Sequence, residues 1–465
     1  MIVRTLEQIA KMVGADQVCN TGEVTVHGIS TDTRSIQPDS LFVPLVGERF
    51  DGHDFAVRAA EAGAAAALWA AGHPVPDGLS LPLIFVPDTL AALGRLAGAY
   101  QSELSAKVIG ITGSNGKTGT KDYLAAMLGV KYKTGKTGGN LNNHIGVPLT
   151  LLSLDEDTEM AVVEMGTSDF GEIRYLAGLV RPDVAILTNV GEAHLDRLGT
   201  VENVAVAKLE MTEFIHKDGL LITGGDQSVL RAAVAKCGCL PAHLRTFGEA
   251  ADCTLRLVDF TADSERVSFE TAGQIAGRFT LHGAVGRHGA MNAMAAMLAA
   301  DFLGLTAAEM NDGLLATQGA KMRSELLRVG QATIMNDAYK SNPASLRAAL
   351  STFYGLPEQR KLFVMGDMVE LGATSASLHA EIGAVLDADK IETLFAFGPE
   401  CRHTAEAALP AFGGGRVRHF DTLDELAEAV IAYAAKPCAI LFKASRALKF
   451  ERLIERLVDA AERAL

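Results

Sequence analysis

The stretch Thr112-Gly113-Ser114-Asn115-Gly116-Lys117-Thr118 follows the apolar run Val108–Ile111 and precedes a helical segment beginning near Lys117. A glycine-rich turn between a buried strand and a helix directs backbone N–H groups and the helix N-terminus at phosphate oxygens. Lys117 would then neutralise the outer phosphates, and the Thr118 hydroxyl would take a place on Mg²⁺. Counting back from Gly116-Lys117-Thr118 in the common phosphate loop puts Ile111 where the first glycine belongs, so the spacing is of another type. Gly113, Ser114, Asn115, Gly116, Lys117, Thr118 and Gly119 are the candidate ATP contacts, with an ordinary glycine-rich turn as the alternative.

Two further residues stand near the ends of the strands expected to follow, and a third on a helix. Glu164 closes the run MAVVEMG, where a carboxylate either holds Mg²⁺ or makes a cap or ion pair. His194 lies just beyond VAILTNV, as a structural histidine or a ligand. Lys208 falls on the helical stripe Val201, Val204, Ala205, Met211 and Ile215. An inward lysine snorkels or pairs with a carboxylate; converted to an anionic carbamate beside ATP and Mg²⁺, it would instead ligate metal.

The elements that must position these residues divide the chain of 465 residues into three α/β units, expected at 1–87, 88–318 and 319–465. The first alternates short strands (VTVHGI, SLFVPLV, LPLIFV) with helices, and a helix over Thr89–Leu104 connects it onward. In the second, KVIGITG, MAVVEMG, VAILTNV and LLITGGD read as buried parallel strands of a doubly wound sheet, whose carboxyl ends hold ligands. The third repeats the pattern without a phosphate loop, in ATIMNDAY, KLFVMGDM, TLFAFG and CAILFKAS, and closes with a helix over about Leu448–Ala464.

Composition excludes several classes. A formal charge of −14 argues against a phosphate-backbone partner. The 6 cysteines are scattered and read as reduced thiols, with a metal site a distant second. No signal peptide is evident, and the apolar run Ala62–Gly72 is too short to span a bilayer, so a cytoplasmic location without membrane insertion is expected. The Asn-Lys-x-Asp guanine reader of GTPases is missing.

TGSNGKT, the Glu164 strand, NVGEAHLD and AKLE occur in an order that resembles the Mur ligase family of ATP-dependent amide-forming enzymes in peptidoglycan synthesis. STDTRSIQPDSLFVPLVGERFDGHDF, TGGNLNNHIGVPLTLL, NDAYKSNPAS and GDMVELG extend the similarity almost end to end. They resemble the branch that joins D-alanyl-D-alanine to UDP-N-acetylmuramoyl-tripeptide. The family loop is Thr-Gly-x-Asn-Gly-Lys-Thr, which accounts for Ile111.

The resemblance implies an N-terminal UDP-binding domain, a central phosphate-loop domain and a C-terminal Rossmann-like domain in a protein expected to be monomeric. It implies ATP and two Mg²⁺ ions, one on Thr118 and Glu164 and the other on His194 and a carbamylated Lys208. Asn292 would read adenine, and Arg323 and Asp337 would complete the ATP site. Ser30, Thr31, Asp32, Thr33 and Arg34 would hold the uridine nucleotide; Asn140, Asn142 and Asn143 the muramyl peptide; Tyr339, Asn342 and Pro343 the amine donor. Gly119, Gly224, Gly289 and Ala444 depart from the family pattern.

Joining a carboxylate to an amine requires activation, and phosphoryl transfer supplies it as an acyl phosphate, with Mg²⁺ screening the approach of two anions. The chain has no convincing nucleophilic triad, and this route needs none. The competing expectations are another amide ligase of the superfamily, such as a diaminopimelate-adding or folate-polyglutamylating enzyme, and a UDP-sugar-binding regulator without turnover.

Overall fold

The runs Lys107–Thr112, Met160–Glu164, Val184–Leu187 and Leu220–Gly224 are apolar almost throughout because both faces of their sheet are covered. The computed structural model describes residues 1–15, 17–19, 24–262, 266–282, 286–317 and 322–463. In it these strands pair in parallel at the centre of a 9-stranded sheet. From Lys107–Thr112 the chain moves out to the edge strand Thr134–Lys136, returns through Met160–Glu164, and crosses to Val184–Leu187 on the other side of its starting strand. Such a reversal opens a crevice at the carboxyl ends of the strands.

Alternation along the strands decides which way each side chain points. Val108, Val163 and Leu187 enter one core, while Ile109, Val162 and Ile186 enter the other, beneath the helix Lys117–Gly129. Glu164 has the parity of Val162, which aims its carboxylate at the first turn of that helix.

The sheet continues beyond the four expected strands. His243–Gly248 and Leu255–Ala262 add in parallel, and Arg266–Gly273 and Gly277–His282 in antiparallel fashion. These outer strands have half-exposed alternating patterns, which carry a weaker signal than the continuous runs. The helix Arg287–Phe302 packs against them and against Lys117–Gly129, with Ala293–Ala300 buried all round.

A 5-stranded sheet precedes this unit, in the order Gln17–Cys19, Leu83–Val86, Ala66–Ala70, Leu41–Phe42, Ile29–Ser30. Ala66–Ala70 lies in the run tested above for membrane spanning; among the described residues no helix is long and apolar enough to cross a membrane. The connector helix spans Thr89–Glu103, capped by Asp88, and its Leu93 and Leu96 share a core with both neighbouring sheets.

The last sheet has 6 strands in the order Glu325–Val329, Ala332–Asp337, Cys438–Lys443, Lys361–Gly366, Thr393–Phe397, Val417–Phe420, parallel apart from the first pair. The terminal helix covers Glu451–Arg463. Its expected end at Ala464 and the expected boundary at 318/319 lie outside the described residues.

Candidate active site

The carboxyl edges of the 9-stranded and 6-stranded sheets face each other across a cavity of about 920 Å³. The phosphate loop forms one wall. Gly113 and Gly116 take φ of 151° and 82°, and a Cβ at either would collide with Thr188 Oγ1 or Asn292 Oδ1 respectively, so conformation and space both require glycine. The neighbouring strand end fixes the loop: Thr188 Oγ1 and Asn189 Nδ2 donate to the Asn115 carbonyl at 2.6 and 3.0 Å, and Asn189 Oδ1 accepts from Asn115 N at 3.0 Å. The absence of a side chain at Gly119 lets Asn292 settle on the loop, since a Cβ there would lie 3.1 Å from its Nδ2. At Gly224 the corresponding space is closed by the Thr188 carbonyl oxygen, 2.9 Å away.

Lys117 is the first residue of its helix, and its Nζ donates to the Gly113 carbonyl at 2.6 Å. Enclosure by the cavity walls pushes this ammonium down to about 8; Glu164 opposes the shift, while Lys340 and Arg323 add to it.

Glu164 is 1 % exposed. Its Oε2 accepts from Thr118 Oγ1 and its Oε1 from Asn142 Nδ2, each at 2.9 Å, and Thr137 Oγ1 accepts from its backbone N–H. No cationic side chain lies within 4.0 Å of this carboxylate among the described residues. A buried oxygen pair held by neutral donors suits a hard divalent cation.

His194 faces the last sheet. Its Nδ1 lies 3.0 Å from Glu370 Oε2, its Nε2 lies 2.9 Å from Lys340 Nζ, and Lys340 and Glu370 are 3.4 Å apart. Glu370 is drawn down to about 2, first by its hydrogen bond to His194. Both ends of this contact have left-handed backbone, with φ of 56° at His194 and 67° at Glu370.

Lys208 is buried as its stripe predicts, although the α-helix ends at Leu209 and Glu210–Phe214 continues as a 3₁₀ turn. Its ammonium has no hydrogen bond or ion pair among the described residues. Burial, then Lys117 and Lys340, push its pKa well down, against the opposing pull of Glu172.

The last sheet contributes two further groups. Asp337 accepts from Ser324 N at 3.0 Å and pairs at 3.0 Å with Lys443, itself 1 % exposed. The Arg323 guanidinium stacks on Tyr339 with its carbon 4.1 Å from the ring centre. Asn342 caps the helix Pro343–Tyr354 through Ser345 N, and exchanges two hydrogen bonds with Asn115, at 2.9 and 3.3 Å. The phosphate loop therefore touches the last sheet's unit directly.

Arg323, Asp337, Tyr339, Asn140, Asn142, Asn143 and Asn292 all line the cavity. Asn142 also holds Glu164, and Asn143 Oδ1 accepts from Ile145 and Gly146 N–H. Pro343 is buried outside the lining, to which Ala344 and Ser345 contribute instead. Ser30–Arg34 lies at the 5-stranded sheet, outside this cavity; there Asp32 pairs with Arg34 at 2.6 Å.

Sequence reading singled out neither Asn189 nor Lys340, Glu370 and Lys443 as site residues. Lys340 and Glu370 sit in the quoted segments NDAYKSNPAS and GDMVELG, and their position just past strand ends was the available signal. Two other clusters have metal-like proximity, Asp51/His53/His73 and Asp367/His379/Cys401. Both ring nitrogens of His53 and of His379 are occupied: His53 Nε2 accepts from Ala70 N and its Nδ1 meets Asp51 at 2.6 Å, while His379 Nε2 accepts from Met368 N and its Nδ1 bonds the Ser375 carbonyl.

Comparison with known proteins gives this geometry its context. Residues 25–101 match the model described as Mur ligase family, catalytic domain; residues 111–300 the Mur ligase middle domain; residues 322–446 the Mur ligase, glutamate ligase domain. The chain is 42 % identical to the UDP-N-acetylmuramoyl-tripeptide--D-alanyl-D-alanine ligase of Bacillus subtilis strain 168, over 99 % of both chains. It superposes on the crystal structure of MurF from Acinetobacter baumannii with a TM-score of 0.86 at 30 % identity, over 99 % of each chain. The Thermotoga maritima MurF in complex with ADP gives 0.81 at 27 % identity, over 95 % of this chain and 99 % of that one. The chain belongs to the Mur ligase family.

Proposed function

We propose that this chain joins D-alanyl-D-alanine to UDP-N-acetylmuramoyl-tripeptide with cleavage of ATP to ADP and phosphate, as a cytoplasmic monomer divided functionally at about residues 87 and 318. The observation that carries this reading is the juxtaposition of Lys117, Glu164 and His194 with Arg323, Asp337 and Lys340 across one cavity. The similarity to enzymes named for that reaction agrees with it.

Lys117 leaves the Gly113 carbonyl for the phosphates of ATP, whose charge restores its full ionisation. The backbone N–H groups of the loop and the helix N-terminus bind the same phosphates. Asn292, set against the loop, faces the base. Arg323 and Asp337 meet the nucleotide from the opposite wall, so that transfer to the peptide carboxylate proceeds with both units docked. The donor's amine nitrogen then bonds the acyl-phosphate carbonyl carbon and gives up a proton, and the tetrahedral adduct expels phosphate as its C–O bond breaks. Lys117 stabilises the oxyanion formed in between.

Thr118 and Glu164 would hold one Mg²⁺, and His194 with a carbamylated Lys208 the second; when bound, these ions screen the repulsion between carboxylate and phosphate. The residues fit that assignment. Among the described residues Glu164 has no cation of its own, and Lys208 has no hydrogen-bond or ion-pair partner. A depressed ammonium pKa leaves Lys208 the free amine that carbon dioxide requires, and the field of Lys117 and Lys340 that disfavours its cation favours a carbamate anion. Asn140, Asn142 and Asn143 would meet the muramyl peptide, Tyr339 and the Asn342–Pro343 turn the amine donor, and Ser30–Arg34 the distant uridine end.

Phosphate release measured with ATP, Mg²⁺, the UDP-linked tripeptide and D-alanyl-D-alanine, omitting each in turn, tests the assignment. Release that needs all four is expected. Release indifferent to the dipeptide rejects it.

A further inference from the structure

The contacts of His194 fix where its proton sits. Glu370, as a carboxylate, accepts only, so the hydrogen on Nδ1 points to it at 3.0 Å. An ammonium donates only, so Nε2 presents its lone pair to Lys340 Nζ at 2.9 Å. That is also the tautomer a metal at Nε2 requires, and the Nδ1–H to carboxylate contact is the usual support behind a ligating imidazole. An imidazole nitrogen has one lone pair, which cannot serve an ammonium and a metal ion together.

We propose that Lys340 and a divalent ion compete for the lone pair on His194 Nε2, the ammonium holding that position until the ion displaces it onto Glu370. The inference rests on the ligase reading above for its second ion, but it concerns this chain's own residues. Glu370 is already 3.4 Å from Lys340, so the displaced ammonium keeps a counter-charge without leaving the cavity wall. Lys117 lies in the same field, so turning the Lys340 ammonium toward the Glu370 carboxylate as a divalent ion enters limits the repulsion among the positive charges. Because Lys340 belongs to the last sheet's unit and His194 to the central one, the ammonium also maintains the contact between them before metal arrives.

Mn²⁺ binding tests this without turnover. Free Mn²⁺ is counted by electron paramagnetic resonance while the full chain is titrated with Mn²⁺ in the presence of a non-hydrolysable ATP analogue and the UDP-linked tripeptide. The wild type is expected to bind one ion tightly and a second weakly or not at all. In Lys340→Met the second ion tightens by at least about tenfold, while the first is unchanged and thereby reports a folded site. Lys340→Arg, which keeps a cation, leaves the second ion weak. Two tight ions in the wild type, or a second ion that Lys340→Met fails to strengthen, overturn the proposal. Failure of the ligase reading appears elsewhere, as phosphate release that does not depend on the tripeptide or the dipeptide.

Discussion

Around Glu164 every partner comes from one unit: Thr118 from the phosphate-loop helix, Asn142 from the loop before the helix Gly146–Ser153, and Thr137 from the edge of the same sheet. Around His194 the partners Lys340 and Glu370 come from the facing 6-stranded unit. The first cluster is neutral hydrogen bonding around one charge; the second is a set of opposite charges bridging two bodies. The first is therefore complete within one unit, whereas the second requires both units to be in contact. Proteins that must open and close divide a site in this way when one substrate has to be held while another enters.

The largest effect should come from attacking the self-contained half. Glu164→Gln removes the charge and leaves one acceptor for two donors, so ligation falls by about two to three orders of magnitude. The unfolding midpoint moves by less than about 3 °C, read by circular dichroism. An active Glu164→Gln enzyme would break the claim that this half holds a cation.

Lys443→Met attacks the other half from behind. It strips Asp337 of a buried partner and removes the donor to the Lys340 carbonyl, at a cost of about 3 kcal/mol to the 6-stranded unit. Hydrogen exchange should accelerate in Ala332–Asp337 and Cys438–Lys443 and stay unchanged in Met160–Glu164. Equal acceleration in both would mean that the two units are one cooperative body.

A pH titration sharpens the comparison further. Enclosure sets Lys117 at about 8, so the free enzyme loses this charge as pH rises through that value, and triphosphate affinity declines by up to about tenfold per unit above it. Bound phosphates restore the charge, so binding takes up a proton there. Calorimetry at about pH 8.5 in two buffers of different ionisation enthalpy should detect the uptake, and Lys117→Arg should abolish it.

The smallest effect belongs to Asn115 and Asn342. A double-mutant cycle with Asn115→Ala and Asn342→Ser, the serine preserving the helix cap, should give a coupling of about 1 kcal/mol in kcat/KM. Additivity would remove this pair from the docking contact.

Much of the self-contained half was legible in the sequence because its causes are local. The continuous apolar runs gave the central strands, the strand–glycine–lysine order gave the loop, and strand-end position gave Glu164. Lys208 was legible from its stripe, although the change to a 3₁₀ turn at Glu210 was not. The bridging half was less so, because a contact between Lys340 and His194 spans 146 residues and leaves no periodicity behind. The outer strands from His243 to His282 alternate weakly and escaped for a different reason: one side of that extension faces water.

The reciprocal amide pair between Asn115 and Asn342 has a consequence for the end of the catalytic cycle. Both groups are uncharged, so the clasp they form is nearly indifferent to salt and to pH, unlike the charged triangle at His194. Two neutral hydrogen bonds contribute about 2 kcal/mol at most, a bias of roughly thirtyfold toward the shut arrangement. A bias of that size is modest, so parting the two units at this pair would require no residue to change its charge.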